Sequence, residues 1–148
     1  MIKLYTIGFT QKTAQQFFDM LHNNGVEIII DIRINNISQL AGFAKGSDLE
    51  YFLNKIYEIK YDYRNDFAPT KELLKNYHEK TVSWEEYVHI YNKLLEERNS
   101  YKNFLKDYAN YRKVCLLCSE AAPEKCHRRL LVEKINDIFT TETEIVHL

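Results

Sequence analysis

Two stretches of this chain carry the residue types that bind anions, move protons or attack electrophiles. The first is Asp31-Ile32-Arg33, which closes an isoleucine-rich run; the second is Cys118-Ser119-Glu120, followed shortly by Cys126-His127-Arg128-Arg129. Residues two apart on a strand share a face, so Asp31 and Arg33 can pair or address one ligand together. A carboxylate beside an arginine tends to stay ionised, which suits an electrostatic or base role; a structural ion pair pinning the following loop has equal standing.

The second stretch admits more chemistry. Cys118 ends an apolar run and Cys126-His127 falls near a helix start, where the helix dipole and neighbouring arginines favour thiolate. Cys115, three residues before Cys118 in the same strand, faces the other side and reads as core. Cys118, Cys126 and His127 have the ligand types of a zinc site but lack a fourth ligand and a standard spacing, and Cys126 as a nucleophile is a second reading. The favoured reading is a polar cluster in which Glu120 and Arg128 organise an anion or nucleotide pocket at a helix N-terminus; a purely structural corner is the fourth. A strand ending in Asp-x-Arg and a later one ending in Cys also outline a rhodanese or a low-molecular-weight phosphatase. Against both, Ser-Glu-Ala-Ala-Pro after Cys118 puts a carboxylate where an oxyanion would sit.

The elements that must position these residues are legible in part. Residues 2–7 form a β-branched run that stops at Gly8, and Thr13 with Gln16 then makes a capping box for a helix that ends at Asn24-Gly25. Val26 to Ile32 is almost continuously apolar, as in a strand covered on both faces, so the opening strand–helix–strand predicts a right-handed parallel crossover. Ser47 and Glu50 predict a second capping box for a helix near 48–58, and residues 59–63 a short strand. From about 70 to 110 the pattern is helical, with a third capping box at Ser83 and Glu86. Tyr111 to Cys118 predicts a buried strand, a helix runs from about Pro123 to Phe139, and residues 143–148 form a last strand. The fold class is therefore α/β: one domain over residues 1–148, a mostly parallel sheet with helices on both faces, Rossmann-like. In such sheets ligands bind at the carboxyl ends of the strands, which marks Thr10, Asp31, Arg33 and the Cys118–Glu120 segment.

Composition bounds the rest. A chain of 148 residues with two prolines and four glycines leaves no room for linkers, and it can bury roughly two-thirds of its unfolded surface in one core. Lys and Arg number 20 against 21 Asp and Glu, so no global positive field holds a polyanion. No apolar run reaches signal-peptide length or the roughly 20 residues that span a bilayer, so the expectation is a cytoplasmic protein with no membrane partner. Three cysteines clustered between 115 and 126 suit reduced thiols rather than a disulfide scaffold. Ten of eleven tyrosines lie between 51 and 111; half-buried packing with hydroxyls in water is favoured over a base-stacking platform.

Taken together, Thr6-Ile7-Gly8, Asp31-Ile32-Arg33 with Ser38, Trp84-x-x-Tyr87, Leu117-Cys118-x-Glu120, Cys126-His127-Arg128 and Val146-His147 resemble the family called DUF488. Phe67-Ala68-Pro69-Thr70 resembles the branch in which an Ala-Pro-Thr or Ala-Pro-Ser tract precedes a helix. The resemblance implies Rossmann-like layering with the motif residues converging near one face, and no established activity. Phe9 stands where the family commonly has a histidine, and phenylalanine can neither transfer a proton nor coordinate metal.

The function expected from these readings is an enzyme, a hydrolase or transferase, acting on a small anionic ligand such as a nucleotide or on a nucleic-acid-like anion. Asp31 would be its base or electrostatic residue, Glu120 its acid or an arginine's partner, and Cys126 a direct contributor. Arg33, Arg128, Thr10 and Ser38 would bind the anion. The rivals are a non-catalytic nucleic-acid-binding module and a metal-binding protein; no cofactor is expected beyond zinc on Cys118, Cys126 and His127.

Overall fold

The computed structural model describes residues 1–37 and 42–148, so Ser38 lies outside the described residues. Five strands form an all-parallel sheet: β1 (Ile2–Gly8), β2 (Ile28–Asp31), β3 (Lys60–Tyr63), β4 (Lys113–Cys118) and β5 (Thr143–His147), in the order β3-β2-β4-β1-β5. Six helices connect them: α1 (Ala14–Asn23), α2 (Gly46–Ile56), α3 (Lys71–His78), α4 (Trp84–Arg98), the short α5 (Phe104–Asp107) and α6 (His127–Ile138). The late strand β4 sits between β1 and β2, so Ile7 and Asp31 both lie beside Leu117 and the two chemical stretches are neighbours.

Period-two alternation divides the core. Tyr5, Ile7, Ile29, Cys115 and Leu117 face α1 and α2 through Phe17, Phe18, Leu21, Leu49 and Leu53. Leu4, Ile28, Ile30, Val114 and Leu116 face the opposite layer through Leu73, Tyr87, Tyr91, Phe104 and Leu131. Helices therefore cover both faces, and Cys115 and Cys118 point to opposite sides. No helix among the described residues is long and apolar enough to cross a membrane.

Some local expectations need correction. The Thr13–Gln16 capping box forms in full. The Ser83 cap forms in half: its hydroxyl accepts from the Glu86 amide but donates to the Glu86 carboxylate, which does not reach back to the Ser83 amide. The Ser47–Glu50 box does not form. Helix α2 starts at Gly46 with Lys45 as an N-cap that makes no side-chain bond, because the Gly46 amide is held by the Asn36 carbonyl. A Cβ at Gly46 would lie 2.5 Å from Asn36 Nδ2, so that start is set by a tertiary contact. Helix α6 begins at His127, not near Pro123, since the Pro123 carbonyl is spent on a turn to the Cys126 amide. Two buried tyrosine hydroxyls are not in water: Tyr91 donates to the Phe67 carbonyl and Tyr108 to Asp62, each at 2.6 Å.

Candidate active site

The carboxyl edge of the sheet opens into a cleft of about 560 Å³, floored by Cys118, Cys126 and His127 and walled by Arg33, Tyr77, Tyr87 and Glu120. Lys71, Lys75 and Lys125 also line it, facing Glu79 and Glu120 as the only carboxylates among its described lining residues. Its walls are therefore net cationic although the whole chain is not.

At the end of β2, Asp31 is completely buried and does not line the cleft. Arg33 grips it with Nε on Oδ1 at 2.8 Å and Nη2 on Oδ2 at 2.6 Å; the Tyr61 hydroxyl donates to Oδ2 at 2.6 Å and the Arg33 amide to Oδ1 at 3.2 Å. Both oxygens are committed, so Asp31 has no free lone pair to take a substrate proton. Burial opposes the charge on Arg33, but its bonds to Asp31 prevail and raise its pKa. The Tyr61 phenol is pushed up by burial and by Asp31. Arg33 does line the cleft, with Nη1 not used by Asp31 and its guanidinium carbon 5.3 Å from the centre of the Phe9 ring. Phe9 thus has a packing role against Arg33.

The end of β4 is organised differently. Cys118 Sγ lies 3.6 Å from His127 Nδ1, and His127 Nε2 is 2.9 Å from the Ile32 carbonyl. A carbonyl only accepts, so the Nε2 proton belongs to that bond and Nδ1 is left unprotonated; the sulfur lies beside the ring, 3.6 Å from Nδ1 and 3.9 Å from Nε2. The Cys126 thiol as proton donor is the main influence holding Cys118 below the usual thiol range; against burial, it is helped by the amides of Glu120 and Ser119 and by Arg128. The same proximity, with burial, pushes the Cys126 thiol up, so of the two Cys118 gives up its proton more readily. Cys115, wholly buried, is also pushed up.

The turn from Ser119 to Cys126 is held from beneath. Arg128 is fully buried and absent from the cleft lining; its Nη1 donates to the Glu120 carbonyl and to Cys126 Sγ, and its Nη2 to the Ala121 carbonyl. The Thr10 hydroxyl donates to the Ser119 carbonyl at 2.7 Å. Gly8 is required here, because a Cβ on it would lie 1.5 Å from the Glu120 oxygen. Thr10 and Arg128 therefore spend their donors on the turn's backbone. Glu120 divides its tasks: its carbonyl is clamped while its side chain is exposed at the rim.

The structure thus brings Arg33, Glu120, Cys118, Cys126 and His127 to one cleft and keeps Asp31, Thr10 and Arg128 behind it. Residue types offered Cys126 as one candidate nucleophile; in the structure Cys118, the last residue of an apolar run, lines the same cleft beside it. The lysines of α3 and the Tyr77–Tyr87 wall were missed because nothing local ties them to the motif. Tyr77, Trp84, Tyr87 and Tyr91 form a continuous aromatic series, with Trp84 and Tyr87 stacked at 5.2 Å.

The three side chains at the floor are also a ligand set. Cys118 Sγ, Cys126 Sγ and a His127 nitrogen lie within 4.8 Å of one another, all buried. Tetrahedral zinc with sulfur at about 2.3 Å and nitrogen at about 2.0–2.1 Å places an S and an N ligand about 3.6 Å apart, the separation seen between Cys118 and His127. The Ile32 carbonyl would be the outer partner that orients the histidine.

Among known proteins, no curated protein and no solved structure matches this chain. One family model does, that of the domain of unknown function DUF488, over residues 13–135. The match takes in Asp31, Arg33 and the whole Cys118–Arg128 turn, and the chain belongs to the DUF488 family.

Proposed function

We propose that the cleft is the active site of a thiol-dependent hydrolase or transferase acting on a nucleotide-sized anion, with Cys118 as nucleophile. The observation that carries this is the Cys118–His127 pair at the floor of a cationic cleft, with the imidazole held by Ile32 so that its free nitrogen is the ring nitrogen nearer the sulfur. A cysteine is activated by an adjacent base and by a depressed pKa, and both are present. The volume of about 560 Å³ suits a small ligand, Arg33 with the three lysines suits its anionic groups, and Tyr77 and Tyr87 offer an aromatic wall for a base. Glu120, exposed at the rim, is the acid available to a leaving group. A reducing cytoplasmic setting would keep the free thiols available.

The test is alkylation of the whole protein by iodoacetamide, followed by peptide mass analysis. Cys118 should label first, half-maximal rate should fall at a lower pH than for an ordinary thiol, and ADP should slow the reaction. Labelling of Cys118 no faster than an unfolded thiol, or a rate indifferent to ADP, defeats the proposal.

A second reading is favoured by the 4.8 Å ligand cluster: a zinc centre on Cys118, Cys126 and His127 with its fourth position toward the cleft. It makes the opposite prediction. Protein purified without an affinity tag would carry one zinc per chain and resist alkylation at Cys118, whereas metal-free, folded, alkylable protein removes it.

A further inference from the structure

Cys126 has no assigned part in nucleophilic chemistry at Cys118, yet it sits beside it. Both thiols line the cleft, at 4% and 3% exposure, with their sulfurs within 4.8 Å. A disulfide needs about 2.05 Å, so the sulfurs must close by a few ångströms at most. The chain allows this. Cys126 is the extended N-cap of α6, its sulfur makes no capping bond, and it stands at the end of a turn whose carbonyls are held by Arg128. Rotation of its side chain gives up the 3.7 Å contact from Arg128 Nη1 and breaks no hydrogen bond of the helix.

We propose a further activity: Cys118 and Cys126 form a dithiol couple that exchanges with small, carboxylate-bearing disulfides. This rests on the nucleophilic role proposed for Cys118 and, independently, on two cleft-lining sulfurs within 4.8 Å of each other. In the first step the Cys118 thiolate attacks one sulfur of the substrate, forming a mixed disulfide and expelling the other half as a thiolate. In the second, Cys126 loses its proton to solvent, attacks the Cys118 sulfur, and expels the remaining half as a second thiolate. From the thiolate–thiol form the chain loses two electrons and one proton, and one disulfide becomes two thiolates that take up protons from solvent. The charge of the disulfide is argued from the wall, where Lys71, Lys75 and Lys125 outnumber Glu79 and Glu120, the charge of Arg33 being balanced by Asp31. Cys115 is on the other face of the sheet and takes no part.

Oxidised glutathione, added to the full chain, is the probe. The expected product is a Cys118–Cys126 disulfide with Cys115 still free. Cys126→Ser should stop at glutathione on Cys118, and Cys118→Ser should not react. The cationic disulfide cystamine should react about tenfold more slowly than glutathione disulfide at low salt, the gap closing as salt screens the cleft. Wild-type protein that stops at the mixed disulfide overturns the couple, and equal rates for the two probes overturn the charge selection. If Cys118 is alkylated rapidly by iodoacetamide yet no disulfide forms, this inference fails and the nucleophile stands; if Cys118 is inert to both reagents, both fail.

Discussion

The ends of β2 and β4 are adjacent, and each presents a charged motif at the same edge of the sheet, but they are finished in opposite ways. At β2 the polar groups satisfy one another: two guanidinium nitrogens, a phenol and an amide consume both oxygens of Asp31. At β4 a thiol, a second thiol and an imidazole nitrogen share too few protons and face a cleft. A buried polar cluster whose valences are complete holds structure, whereas one with a valence left over can react. Residue types alone do not separate the two, because the difference lies in the partners supplied from elsewhere in the chain.

This contrast can be broken by substitution. Asp31→Asn should be the most damaging, since it leaves the Arg33 charge buried without its counter-ion; a cost of about 4 kcal/mol, or a fall in melting temperature on the order of 10 °C, is expected. Thermal unfolding together with the iodoacetamide rate checks it, and a stable protein with a dead Cys118 would return Asp31 to the chemistry. Gly8→Ala should cost less, about 2–3 kcal/mol, by pushing the Glu120 carbonyl away. Its mark would be the thiol: once the turn amides move, the half-maximal alkylation pH should rise toward that of an ordinary cysteine. Tyr61→Phe should be the mildest, at about 1–2 kcal/mol, because it removes one donor from Asp31 and leaves both arginine bonds in place. A loss as large as that of Asp31→Asn would show the phenol, rather than Arg33, to be the keystone.

The layout was readable where it depends on local pattern. The isoleucines before Asp31, the Thr13–Gln16 cap and the opposite facing of Cys115 and Cys118 follow from periodicity and spacing, and the sheet is parallel as the strand–helix–strand opening implies. What could not be read is set by distant contacts. His127 is oriented by the Ile32 carbonyl, a partner 95 positions away. Arg128 looks like an anion binder by type, but it is turned inward, where the carbonyls of Glu120 and Ala121 are the acceptors it finds. Ser47 lost its capping role to a loop carbonyl at Asn36, which no propensity records.

The placement of β4 between β1 and β2 also sets a schedule. A chain growing from its N-terminus makes β1, α1 and β2 early, yet these two strands share no ladder in the finished sheet, only a neighbour that arrives at residues 113–118. Closing so long a loop is slow, and until it happens both strands carry unpaired edges. Cys118 is therefore delivered by the same event that completes the sheet, and a nascent chain passes through its most aggregation-prone stage before the cleft has its floor.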